Sequence, residues 1–124
     1  LYPGTGKSSE IGRGAGVGTT LNLPMPPGST DADYLQALEQ RVLPALQAFA
    51  PEFLLISAGF DAHADDPLAN IQLTEAGYRE MGTRLAAFAK EACQGRLLTV
   101  LEGGYNLSVL AACVADHIRI LQGN

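Results

Sequence analysis

Two short, unbroken apolar runs constrain the fold of this chain more than any other feature, because each is of strand length and each leads through a glycine-bearing loop into a helical stripe. The runs are Phe53-Leu54-Leu55-Ile56 and Leu97-Leu98-Thr99-Val100-Leu101. Their lack of polar alternation predicts burial on both faces, as in the strands of a parallel sheet. Thr74 and Glu75 open a helix with Tyr78, Met81, Leu85, Phe88 and Ala92 at three-four spacing, and Gly95 marks its end. Asn106 caps a further helix, with Leu107, Leu110, Val114, Ile118 and Leu121 expected on its inner face. Upstream, Ser29 or Thr30 starts a helix whose stripe is Leu35, Leu38, Val42, Leu46 and Phe49, with Asp31 and Asp33 against its positive end. Pro44 should kink that helix or end its first segment. Leu21 to Leu23 reads as a brief strand stopped by Pro24, Pro26 and Pro27, whereas residues 1–20, rich in glycine, read as irregular loop.

The predicted order is therefore β-α-β-α-β-α, an α/β chain with a parallel sheet in a three-layer α/β/α arrangement. Such sheets hold ligands at the carboxyl ends of their strands. There this chain places Ser57-Ala58-Gly59-Phe60-Asp61-Ala62-His63 and Glu102-Gly103-Gly104-Tyr105-Asn106.

Composition narrows the functional classes. With 124 residues, 47% hydrophobic and 17% charged, the chain has the balance of one globular unit rather than a disordered tail. A net charge of −5 without a cluster of Lys and Arg argues against direct nucleic-acid binding. No run of eighteen apolar residues and no signal-peptide pattern occurs, so neither membrane insertion nor secretion is supported. Cys93 and Cys113 lack C-x-x-C spacing and read as free thiols packed as small hydrophobes, which fits a reducing compartment and a cytoplasmic location. The first residue is Leu1 rather than Met, inside a motif-like stretch, which suggests a piece of a longer protein.

Two nucleotide-binding patterns fail on context. Gly6-Lys7-Ser8 copies the end of a phosphate-binding loop, but Leu1 stands at the opening glycine position and no strand precedes it. The stretch from Gly12 to Gly18 matches G-x-G-x-x-G in no register. Asp61 at a strand's carboxyl end is a hard-ligand candidate for a divalent metal, or else the cap of a following helix or the brace of a turn. Tyr105, after two glycines, either presents its phenol to a substrate or is a packed tyrosine.

Taken together, Tyr2-Pro3-Gly4-Thr5-Gly6, the Gly12 to Gly18 loop, the segment 57–63, Asp66-Pro67-Leu68 and Leu101-Glu102-Gly103-Gly104-Tyr105-Asn106-Leu107 resemble the histone deacetylases. The likeness is greatest to their class II-like, acetylpolyamine amidohydrolase and acetoin-utilisation relatives, and it runs in order along nearly the whole chain. It implies an arginase/deacetylase-like fold, with residues 1–124 forming the C-terminal portion of a catalytic domain. It also implies a zinc-dependent amidohydrolase acting on acetyl-lysine peptides or acetylated polyamines. Asp61 matches one of the family's two metal-binding aspartates, and Tyr105 the tyrosine that hydrogen-bonds the substrate carbonyl. Tyr2 and Leu68 match walls of the acyl-lysine tunnel, Gly103 and Gly104 its floor, and Thr19 falls near a structural potassium site formed by backbone oxygen.

The implied chemistry suits these side chains. Zinc polarises an amide carbonyl and lowers the pKa of bound water toward about 7. A tyrosine, with an ordinary pKa of about 10, keeps its proton at neutral pH and can donate to the developing oxyanion. The family's Asp-x-His metal pair and tandem histidines lie upstream of the segment present. The histidines here are His63 and His117; the first is expected in a loop or supporting role, the second as a structural group within the last helix. The isolated chain is therefore expected to be inactive, and the rival expectation is a non-catalytic binding module. Oligomeric state is left open.

Overall fold

The computed structural model describes residues 4–123. A 3-10 turn at Gly14–Gly16 interrupts the glycine loop; then follow α1 (Asp31–Ala37), a π-helical turn (Leu38–Val42), α2 (Leu43–Phe49), β1 (Leu54–Ala58), α3 (Glu75–Ala92), β2 (Leu97–Leu101) and α4 (Leu107–Leu121). β1 and β2 are parallel, with Leu54 opposite Leu97 and Ala58 opposite Leu101. The chain is an α/β unit, as its alternating runs require.

Among the described residues the helices cover one face of the sheet. Leu54 packs with Phe88, Ala89 and Cys93 of the α3 region, joined by Leu43 and Leu46 of α2. Further along, Phe60 packs with Val109 and Cys113 of α4. The other face carries Leu55, Leu98 and Val100, which are half or more exposed. The expected burial of both strand faces is thus met on one side only, because this chain brings its helices to that side.

Four further expectations are corrected. Leu21 to Leu23 form no strand; instead the Asn22 side chain donates to the Lys7 and Glu10 carbonyls, both at 3.0 Å, and closes the glycine loop on itself. Phe49 is 68% exposed rather than part of a buried stripe. Pro44 has no N–H to donate and its ring crowds the carbonyl four residues back, and the helix widens so that the Leu43 N–H reaches Leu38. Beyond that turn Leu43 and Leu46 still pack on the core, while Phe49, the last residue of α2, faces solvent. In α4 the buried line runs through Val109 and Cys113 toward half-buried His117 and Ile120, while Leu107 and Ile118 face outward. Likewise Ala89, not Ala92, is the buried alanine of α3.

The caps form as read, with one addition. Thr74 accepts from the Gly77 N–H and Asn106 from the Val109 N–H. Asp33 accepts from both the N–H and the hydroxyl of Thr30 at 2.8 Å, which holds its carboxyl below the usual range. Asp31, however, serves α3: its carboxylate accepts from the Thr74 N–H at 2.9 Å and the Thr74 hydroxyl at 2.6 Å. Gly77 makes this possible, since a Cβ there would overlap the Asp31 carboxylate. The segment around Ile71 and Leu73 is stitched down on both sides, pairing Gln72 with Thr30 and Leu73 with His63. Leu73, 1% exposed, thereby anchors the loop that follows β1.

Candidate active site

The loops leaving β1 and β2 are joined by backbone hydrogen bonds. Glu102 N–H donates to Ala58 at 2.9 Å, and Phe60 N–H donates to Gly103 at 2.8 Å. This stitching brings Asp61 against the glycine pair of the second loop. A Cβ on Gly103 would lie 2.7 Å from the Asp61 Cγ, and one on Gly59 would lie 2.8 Å from its Oδ1. The Asp61 carboxylate therefore fills the space that two missing side chains leave open. Burial, reinforced by the Asp61 charge, raises the pKa of Tyr34, and burial with the same charge contributing raises that of Tyr78. The Tyr78 hydroxyl also accepts from the Ala62 N–H at 3.2 Å, bracing the residue after Asp61.

Tyr105 and Leu68 share one anchor, the buried carboxylate of Asp66. It accepts from the Tyr105 N–H at 2.7 Å, the Asn106 N–H at 3.2 Å and the Leu68 N–H at 3.2 Å. Tyr105 and Leu68 are 59% and 56% exposed, so both side chains are open to solvent. Gly104, at φ +144°, packs against Leu110 and Phe60, and its conformation lets the loop turn into α4. Asp61, Leu68, Gly103, Gly104 and Tyr105 thus gather at the carboxyl ends of the two strands. Tyr2 lies outside the described residues. Thr19 closes an exposed turn, its hydroxyl donating to the Gly16 carbonyl at 2.7 Å. A cavity of about 820 Å³ lies elsewhere, between the segment 20–29 and α1.

The histidines support the fold. His63 is 4% exposed; its Nδ1 accepts from the Asp65 N–H at 3.0 Å. That bond leaves the ring proton on Nε2, which sits 3.2 Å from the Glu75 carboxylate without the alignment of a full hydrogen bond. His117 Nε2 meets the Thr99 hydroxyl at 2.9 Å, and burial lowers the imidazole's pKa. Cys93 and Cys113 are free and buried, and burial pushes the Cys113 thiol up to about 11.

Asp66 and Gly59 stood within the motifs and Tyr78 on a helix stripe, but sequence reasoning gave none of the three a part in the site. The Asp66-Pro67 pair was a usable signal, since an aspartate before proline commonly braces a turn. Nothing in the sequence alone ties Tyr78, on a helix stripe, to the Asp61 loop.

Asp61 suits a metal as a hard oxygen donor: among the described residues it accepts no hydrogen bond, in contrast to Asp66. No three His, Cys, Asp or Glu side chains gather to hold an ion among the described residues. The residues present therefore fit one ligand position of a zinc site rather than the site as a whole.

The comparisons say which family carries this rim of carboxylate, phenol and paired glycines on a parallel α/β sheet. The histone deacetylase domain model matches residues 1–121, and the chain belongs to that family. It is 52% identical over 122 residues to histone deacetylase 14, chloroplastic, of Arabidopsis thaliana, covering 98% of this chain and 29% of that protein. It is 39% identical over 121 residues to a histone deacetylase-like amidohydrolase of Pseudomonas aeruginosa, covering 98% of this chain and 32% of that protein. The crystal structure of the HDA15 HD domain superposes with a TM-score of 0.92 at 42% identity, over 100% of this chain and 34% of that one. The chain thus spans about a third of the length of the relatives it matches.

Proposed function

We propose that the protein to which this chain belongs is a zinc-dependent deacetylase that hydrolyses the amide of acetyl-lysine or acetylated polyamines, with this chain as the C-terminal portion of its catalytic domain. The observation that carries the reading is the seating of the Asp61 carboxylate against Gly59 and Gly103, on the loop that presents Tyr105. Asp61 supplies one metal ligand and donors from elsewhere in the protein complete the set. When bound, zinc supplies Lewis-acid polarisation of the amide carbonyl and a water acidic enough to attack at neutral pH. Tyr105 donates its phenolic proton in a hydrogen bond to the carbonyl oxygen as negative charge builds there. Leu68 lines the acyl-lysine passage, and Gly103 and Gly104 keep its floor clear of side chains. Cytoplasmic residence belongs to the same reading; the two free, buried thiols fit any reducing compartment.

Tyr105→Phe in the complete protein tests the reading. Loss of one oxyanion donor should lower hydrolysis of an acetyl-lysine peptide by about 100-fold or more, with zinc content unchanged. Unaltered turnover would remove Tyr105 from the chemistry, whereas absence of hydrolysis by the unmutated complete protein would favour a binding module over an enzyme.

A further inference from the structure

Asp66 is a buried carboxylate that forms no ion pair among the described residues, 9% exposed. Burying such a charge is costly unless hydrogen-bond donors replace its water. Here three backbone N–H groups do so, those of Leu68, Tyr105 and Asn106, and the last two stand at the positive end of α4. The donors are not scattered. One belongs to the proposed passage wall, and two belong to the residue carrying the phenol and to the helix cap beside it. A second tie runs in parallel, from the Asn106 side-chain amide to the Asp65 carbonyl at 3.1 Å.

Tyr105 needs such a tether. It follows two glycines, which leave the backbone before it weakly constrained, and its exposed side chain is not fixed by packing. The geometry points to Asp66 as a positioning residue, whose carboxylate sets the Tyr105 phenol and the Leu68 wall relative to the Asp61 loop. This role rests on the deacetylase reading above. Asp66 touches backbone amides only, so it acts through Tyr105 and not on the substrate.

A double-mutant cycle in the complete, zinc-loaded protein tests it, with kcat for an acetyl-lysine peptide and the thermal midpoint as readouts. Asp66→Ala removes every acceptor, and a misplacement of about 1 Å costs about 100-fold in turnover; that loss is expected in the Tyr105 form. In the Tyr105→Phe form the same change should cost less than about threefold, because no phenol remains to misplace. Asp66→Asn keeps one oxygen for the Tyr105 and Asn106 amides but loses the charge and the Leu68 bond. It should lower kcat by about tenfold in the Tyr105 form and by less than about twofold in Tyr105→Phe, and it carries the cycle if the alanine variant fails to fold. Equal losses in both backgrounds, or full turnover in Asp66→Ala, would overturn the positioning role while leaving Tyr105 in place. Full turnover in Tyr105→Phe itself would remove Tyr105 from the chemistry, and this role with it; absence of turnover in the unmutated, zinc-loaded protein would instead remove the deacetylase reading.

Discussion

Replacing Gly103 with alanine probes the seat of Asp61 directly. A methyl group on the Gly103 Cα would sit 2.7 Å from the Asp61 Cγ and Oδ2 and 2.9 Å from Oδ1. Carbon atoms rest comfortably at about 3.5–4.0 Å, so the carboxylate has to retreat by about 1 Å. Metal–ligand distances tolerate only about 0.2 Å, and a shift of about 1 Å in a reacting constellation costs about 100-fold in rate. Overpacking adds about 1–3 kcal/mol of destabilisation. Gly95→Ala is the matched control. Gly95 has φ +77° and nothing within 4 Å of an added Cβ, so alanine there brings left-handed strain of about 1–2 kcal/mol without touching Asp61. In the complete protein, Gly103→Ala should lose zinc on dialysis and hydrolyse an acetyl-lysine peptide about 100-fold more slowly. Gly95→Ala should lower the thermal midpoint and keep both. A Gly103→Ala protein that retained full zinc and turnover, losing only stability, would refute the reasoning.

Asp31→Ala removes the two acceptors that α1 offers to Thr74 and should destabilise the complete protein by about 1–2 kcal/mol in urea unfolding, the ordinary worth of a helix cap, with KM unchanged. His117 is held neutral by burial, so the unfolded chain takes up a proton first. Its contribution is fully present above about pH 6.5 and falls as the pH drops through the lowered folded value. The urea midpoint should therefore be lower at pH 5.5 than at pH 7.5, and His117→Gln should flatten that slope; an unchanged slope would exclude His117 as its source. Cys113, buried and raised to about 11, should resist a thiol reagent at pH 7.5 until the protein unfolds, as should Cys93. Labelling of either thiol in the folded protein would contradict its placement.

The strands, the α3 and α4 caps and the parallel pairing were legible because each rests on a local rule: apolar runs of strand length, Thr74 and Asn106 at helix starts, and glycines after the strands. What escaped depends on tertiary context. Leu21 to Leu23 had the composition of a strand, but Asn22 ties the loop to Lys7 and Glu10 instead. Phe49 matched the stripe by spacing, but it is the last residue of α2 and lies beyond the core contacts of Leu43 and Leu46. Outward Leu55, Leu98 and Val100 follow from helices lying on one face of the sheet among the described residues, and no residue pattern in a run of five announces that. At the rim, Asp61, Leu68, Gly103, Gly104 and Tyr105 stood out through motifs after strand ends, and the structure gathers them there. Asp66 stood in a motif too, but its role could not be read there, because it lies in backbone amides that come from residues 39 and 40 positions away.

The most direct test is a crystal structure of the complete protein with zinc and an uncleaved acetyl-lysine peptide. An Asp61 oxygen should lie about 2.0–2.2 Å from the metal, and the Tyr105 hydroxyl about 2.5–3.0 Å from the acetyl oxygen. A metal bound without Asp61, or a phenol turned away from the bound amide, would contradict the account.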